Sequence, residues 1–267
     1  MCGGTNVCNF YFSGSGNSLY TAKMAAQSLK SCRLENVANY IKNPYKVEDK
    51  VVGIVFPVYC FAVPPIVEEF VKLLKAAPDY TFAIATMGGS QGQTLYQLQQ
   101  LLKEQDIALD YANTVVMPDN FFNLSKEKRA KMVEDAEPAI KTICKALATQ
   151  EKDVSLCKEA SFWRYAGTPL SWWFIRTFQH LDVVHVLEFR CIGCGLCEKL
   201  CPVDNIKMKD GYPQFDMHCA HCFGCRHWCP GEAISIGTKT TYKGTSYIHP
   251  KVTSADMLNA LVGKIKT

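Results

Sequence analysis

Residues 191–202 read CIGCGLCEKLCP and residues 219–230 read CAHCFGCRHWCP, so the pattern C-x-x-C-x-x-C-x-x-x-C-P occurs twice. A shift of 28 positions carries Cys191 onto Cys219, Cys194 onto Cys222, Cys197 onto Cys225 and Cys201 onto Cys229. The segments that follow, VDNIKM and GEAISI, agree in pattern as well. A period this short marks an internal duplication, because neither half could bury a core of its own. Eight of the 14 cysteines lie between Cys191 and Cys229. Without a secretion signal, such a density points to metal or redox chemistry rather than a disulfide framework. Three thiolates within seven residues can wrap three iron corners of one cubane, and the fourth, ahead of a turn-forming proline, reaches the cluster of the other half. One 4Fe–4S cluster is thereby assigned to Cys191, Cys194, Cys197 and Cys229. The other falls to Cys219, Cys222, Cys225 and Cys201. Structural zinc uses separated C-x-x-C pairs rather than tight triplets, so the spacing argues against it.

Over residues 186–237 the chain resembles the bacterial two-cluster ferredoxins. His218, His221 and His227 sit among the ligands. With eight cysteine corners filled, they are expected at the surface or beside the ligands, where they could make a cluster potential pH-dependent. Cys2, Cys8, Cys32, Cys60, Cys144 and Cys157 lack ligand spacing, and most are expected to be small buried apolar residues.

The first 150 residues follow another rule. Apolar or β-branched runs at 7–12, 51–56, 80–86 and 113–117, with a weaker one at 32–37, alternate with helical patterns near 17–30, 65–76, 92–105 and 126–149. Ile140, Ile143 and Leu147 against Glu137, Lys141 and Lys145 give the last of these its helical period. The pattern predicts an α/β fold, a doubly wound five-stranded parallel sheet covered on both faces. A small α+β cluster domain follows it.

The loop after the first strand, NFYFSGSGNS, opens a helical pattern, a place where backbone N–H groups and the helix dipole face an anion. A dinucleotide fingerprint would need glycine where Leu19 stands, and no G-K-[ST] is present. Hydroxyls and an amide without a lysine suit a terminal monophosphate. The segment resembles the phosphate loop of flavodoxins, and residues 3–150 share their expected order of elements. The whole chain resembles the flavodoxin–ferredoxin fusion proteins of anaerobic bacteria and archaea.

That resemblance implies bound FMN. Its phosphate would be held by Ser13, Gly14, Ser15, Gly16, Asn17 and Ser18. Its ring would meet the loop with Pro57, Val58, Tyr59, Cys60 and Phe61, with Tyr59 or Phe61 stacked on it. The backbone of Thr86, Met87, Gly88 and Gly89 would face the pyrimidine edge, and MPDNFF at 117–122 would close the pocket. Residues 57–66 hold no glycine, and neither they nor residues 85–94 hold an acid, which predicts a flavin couple higher than that of small flavodoxins.

The expected domains are 1–155 for the flavin, 156–185 as an aromatic-rich linker, 186–240 for the clusters and 241–267 as a tail with a helix. The linker holds Trp163, Trp172 and Trp173. It reads as aromatic packing between domains, with an interfacial contact as the alternative. A net charge of +4 without a basic run argues against nucleic acid. No apolar stretch reaches the roughly 20 residues of a spanning helix, and no export signal opens the chain, so a cytoplasmic location is expected. The functional expectation is an electron-transfer iron–sulfur flavoprotein serving redox partner proteins. The alternative is an FMN-dependent reductase of a small organic acceptor, with Tyr59, Cys60 or Tyr96 as proton donor. Donor, acceptor and a homodimeric state stay open.

Overall fold

The structure, a computed structural model, describes residues 6–29, 31–121, 124–159, 184–216, 218–236 and 244–261. The linker tryptophans Trp163, Trp172 and Trp173 lie outside the described residues. Five strands form the main sheet: β1 (Val7–Tyr11), β2 (Cys32–Asn36), β3 (Val51–Pro57), β4 (Tyr80–Met87) and β5 (Tyr111–Val116). All pair in parallel in the order β2-β1-β3-β4-β5. This is the flavodoxin-like order, with its switch point between β1 and β3.

Alternate residues of these strands feed two cores. Tyr11, Val55, Ile84 and Val115 pack on one face with Leu19 of α1 (Asn17–Ser28) and Ile140 and Leu147 of α5 (Lys126–Ala148). Phe10, Ile54, Phe56 and Ala85 pack on the other with Phe70 of α3 (Pro65–Leu73) and Leu98 of α4 (Thr94–Lys103). With both faces covered, β1 is buried along its whole length. The strand expected at 32–37 ends one residue early. Asn36 accepts from Ala38 N at 2.9 Å and caps a short α2 (Val37–Lys42), a side-chain cap that starts the helix there.

The cysteine-rich part is built from small pieces. β6 (Val184–Val186) pairs antiparallel with β9 (Ile234–Ile236), and β7 (Ile206–Lys209) with β8 (Tyr212–Phe215). Asp210 and Gly211 turn the latter hairpin with φ of 52° and 85°, the two left-handed positions an Asp-Gly turn supplies. Two single turns, α6 (Leu196–Lys199) and α7 (Gly224–His227), carry the third cysteine of each triplet, Cys197 and Cys225.

The tail, with α8 (Ser254–Leu261), returns to the flavodoxin-like layer. Val252 and Met257 join the core that holds α1 and α5. Lys251 Nζ meets Glu137 at 2.6 Å, and Lys23 pairs with Asp256. Such half-exposed pairs orient the tail more than they hold it, at up to about 1 kcal/mol each. Among the described residues, no helix is long and apolar enough to cross a membrane.

Candidate functional site

The duplication seen in the cysteines extends to the backbone. Gly193 (φ 67°) and Gly195 (φ 68°) correspond to His221 (φ 51°) and Phe223 (φ 56°), and Asp204 (φ 53°) to Glu232 (φ 46°). Asn205 N donates to Cys201 Sγ at 3.2 Å, and Ala233 N to Cys229 Sγ at 3.3 Å. The second repeat holds its left-handed turns without glycine, at a cost of about 1–2 kcal/mol per position. Such strain persists where surrounding contacts over-determine the loop.

Each triplet lines a hollow completed from the other repeat. Cys191, Cys194 and Cys197 share a cavity of about 350 Å³ with Cys229, Ile234 and Pro213. Cys219, Cys222 and Cys225 share one of about 500 Å³ with Cys201, Ile206 and Phe215. Among the described residues no three His, Cys, Asp or Glu groups converge on a single ion-sized point. Four thiols lining one hollow suit a multi-iron body. Burial pushes the Cys222 thiol up to about 12, and neighbouring Cys219 and Cys201 push the same way. Burial likewise takes Cys197 to about 11. Filling these hollows with thiolates therefore requires a cationic centre and releases protons.

A third cavity, of about 350 Å³, opens at the carboxyl ends of β1, β3, β4 and β5. Its walls include Ser13, Gly14, Ser15, Asn17, Ser18, Pro57, Val58, Thr86, Met87 and Gly88. Gly16 stands behind the loop with φ 99°, its N–H donating to Ser13 Oγ at 3.1 Å. Ser18 Oγ and Thr86 Oγ1 lie 2.7 Å apart. No side chain caps α1, although Asn17, Ser18 and Leu19 are buried. A buried, uncapped helix start beside Ser, Thr and Asn fits a phosphate, whose oxygens would accept from the free first-turn amides.

Tyr59, Cys60, Phe61 and Gly89 do not line that cavity. The cause is a tight reversal. Tyr59 N–H donates to Ala62 O at 3.1 Å and Ala62 N–H to Tyr59 O at 3.0 Å, with Cys60 and Phe61 left-handed between them. The turn carries Phe61 outward, 53% exposed, onto Gly92, where an added Cβ would overlap the Phe61 side chain. Tyr59 packs instead against Phe12 and the core that contains Cys222. Its hydroxyl is buried, and burial, then Cys222, raises its pKa well above the usual range, while Asn120 opposes.

Asp119 enters the cavity from the loop after β5 and lies against Gly88. The two loops without acids therefore face a carboxylate supplied by a third. The loop at 117–122 was expected to close the pocket, and Met117, Pro118, Asp119 and Asn120 do line it.

The loop of the second cysteine repeat covers the Ser/Gly-rich loop after β1 directly. An added Cβ on Gly14 would overlap the Cys222 carbonyl oxygen. Trp228 Nε1–H donates to Gly14 O at 2.9 Å. Asn120 Nδ2 donates to Cys222 O at 3.4 Å. His227 is 5% exposed and not a surface group. Its Nδ1 accepts from Tyr247 N at 3.1 Å, which leaves Nε2–H to donate to Asn120 O at 2.7 Å. Burial holds this imidazole down to about 4, so it is a neutral clamp at physiological pH. Gly14 carried a legible signal as a loop glycine, but its partner could not be read. Trp228 fills a variable position of the second cysteine motif and Asp119 stands in the loop at 117–122, but no sequence signal gives either its partner, and none marks Tyr247.

A 4Fe–4S binding domain family matches residues 184–207. Over 56 residues the chain is 39% identical to a subunit of the ion-translocating oxidoreductase complex of Methanosarcina acetivorans, covering 21% of this chain and 21% of that protein. Over 58 residues it is 40% identical to an uncharacterized ferredoxin of Methanocaldococcus jannaschii, covering 21% of this chain and 38% of that one. The chain thus spans well under half the length of these curated relatives. The Trp repressor binding protein of Bacillus subtilis matches 55% of this chain and 97% of its own at 12% identity, with a TM-score of 0.37. Strand order assigns the fold, and a flavodoxin-like sheet here precedes a ferredoxin-type 4Fe–4S segment.

Proposed function

We propose that this chain is an electron-transfer iron–sulfur flavoprotein that relays single electrons between two 4Fe–4S clusters and FMN on behalf of a redox partner protein. The observation that carries the reading is the contact between Gly14, on the wall of the flavin-type cavity, and Cys222, on the wall of a thiol hollow. One thickness of backbone separates the two sites. Cys225 in turn feels the charge of Cys197, so the two hollows are neighbours. An electron accepted at the outer hollow could therefore reach the flavin cavity without any movement of domains.

Within this reading Cys191, Cys194, Cys197 and Cys229 hold the outer cluster, and Cys219, Cys222, Cys225 and Cys201 the inner one. Ser13, Ser15, Asn17 and Ser18 with the first-turn amides of α1 hold the phosphate. Thr86, Met87 and Gly88 border the ring on one side and Pro57 and Val58 on another. Bound FMN would supply the exchange between one- and two-electron chemistry that the clusters lack. The protein contributes ligation, burial and short separation. The similarity to a component of an ion-translocating oxidoreductase complex supports a protein as electron donor or acceptor.

A small-acceptor reductase would need a proton donor at the cavity. Tyr59, Cys60 and Tyr96 are absent from its lining, so among the described residues Asp119 is the side chain there that could serve. Anaerobic purification followed by photoreduction tests the relay. The expected result is about eight irons and one FMN per chain, with clusters passing electrons to flavin at a rate independent of protein concentration. A concentration-dependent rate, or zinc in place of iron, overturns the proposal. Rapid turnover of a quinone without any partner protein would replace it with the reductase.

A further inference from the structure

The phosphate loop is not completed by its own domain. Asn17, the first residue of α1, has both ends of its side chain held from outside the loop: Nδ2–H donates to Pro118 O at 2.9 Å and Oδ1 accepts from Tyr247 O–H at 2.8 Å. Ser15 O accepts from His249 N at 2.9 Å, and Gly14 O accepts from Trp228 Nε1–H at 2.9 Å. Gly16 sits against Val252 and His249 at 3.2–3.3 Å from where a Cβ would stand. Three consecutive loop residues and the helix start are thus fastened by the cysteine-rich module and the tail.

We infer that the flavin-phosphate site is composite, with Trp228 and Tyr247 as positioning residues that hold the loop in its anion-binding form, so that flavin retention depends on a loaded inner cluster. The inference rests on the flavin reading above and deepens it. Its physical basis is the chain of contacts that leaves the inner hollow. Cys222 contributes a thiol to that hollow and a carbonyl to the Gly14 contact. Trp228 and His227 lie between Cys225 and Cys229, one thiol from each hollow. His227 passes the connection to Tyr247 by its Nδ1, and Tyr247 passes it to Asn17.

The buried loop itself has no lysine or arginine, so its first-turn amides are its means of holding a phosphate, and amides act only when aimed. Loss of the four-iron body removes the ligand bonds that would tie Cys219, Cys222 and Cys225 to Cys201 and so loosens the 219–225 loop. Gly14 and Asn17 then lose their fastenings together. By linkage, FMN must stabilise the inner cluster as much as the cluster stabilises FMN.

The test uses the full-length holoprotein, depleted of FMN by dialysis under anaerobic conditions and titrated with FMN or with riboflavin, which lacks the phosphate. Trp228→Phe and Tyr247→Phe each remove one buried hydrogen-bond donor and keep a ring in place. Each should weaken FMN about five- to tenfold, with riboflavin affinity and iron content unchanged. Removing iron with a chelator should release FMN, and excess FMN should slow that removal. A general loss of packing would weaken both flavins alike, so an unchanged ratio of FMN to riboflavin affinity in Tyr247→Phe overturns the inference. Retention of FMN at wild-type affinity by the iron-free chain overturns it too. Failure of the wild-type holoprotein to bind FMN sinks the flavin reading and this inference together.

Discussion

The two cysteine repeats share spacing, turn geometry and hydrogen bonds, yet they stand in opposite surroundings. In the first, Cys194 is exposed, and Phe189 and Ile192 beside it are 82% and 69% exposed. In the second, Cys222 and Trp228 are buried and face the phosphate loop. Equal motifs thus acquire unequal roles from what covers them. The exposed copy is open to another molecule, and the covered copy abuts the loop after β1, which in the proposed relay makes the first the entry point and the second the neighbour of the flavin. Burial also sets the direction of chemical tuning, since apolar cover disfavours added charge at the inner hollow more than at the outer one.

Removing one ligand from each copy is the severest test of this asymmetry. Cys194→Ala should cost about four of eight irons and leave FMN in place, whereas Cys222→Ala should cost the inner cluster and FMN as well. Iron and flavin assays on anaerobic material give the answer, and equal flavin loss in both variants would erase the distinction. Next in size is Gly14→Ala. The added methyl overlaps Cys222 O, so the loops must separate, with about 3 kcal/mol lost and transfer from cluster to flavin slowed at least about tenfold. Denaturant unfolding and stopped-flow photoreduction check the two effects.

Acid should loosen the covered copy through the tail. His249 is fully buried, stacked on Tyr20 at 4.1 Å, with Lys251 and Glu137 as its charged neighbours. Burial, then Lys251, holds its pKa down to about 4 from 6.5, while Glu137 opposes. The unfolded chain therefore takes the proton first. The contribution of His249 is complete above about pH 6.5 and is lost as pH falls towards 4, by about 3 kcal/mol at most. Melting curves from pH 8 to 5 should show this slope, and His249→Phe, which keeps the stack, should flatten it. An equal slope in both chains would exclude His249 as the source.

The smallest effect on stability belongs to the exposed copy. Phe189→Ser with Ile192→Ser should change unfolding free energy by no more than about 0.5 kcal/mol. Reduction by an external protein donor should nonetheless slow, with iron and FMN unchanged. A large loss of stability would mean that these side chains are structural after all.

Much of this was legible before the structure. The runs at 51–56 and 80–86 became β3 and β4 because a strand covered on both faces must be apolar along its length. The helical pattern at 126–149 became α5, since Ile140, Ile143 and Leu147 fall on one face. Asn36 concealed a helix because one side-chain cap outweighed the strand-like run before it. The aromatic loop was less readable. Its residues have the chemistry to meet a flavin, but the left-handed pair Cys60-Phe61 turns them from the cavity, and neither residue type announces that conformation.

By itself the sequence determined the local and periodic properties: five parallel strands with their helices, an anion-type loop at the end of the first, and a thiolate array written twice. These follow from spacing, because side-chain direction repeats every 2 or 3.6 residues and metal ligation needs cysteines within reach of one another. Tertiary structure alone decided which copy of the array faces the loop after β1, that Asp119 enters the cavity at the strand ends, and that Trp228 and Tyr247 fasten a loop more than 200 residues earlier. Such contacts depend on how two finished surfaces fit, and surface complementarity leaves no period in the chain.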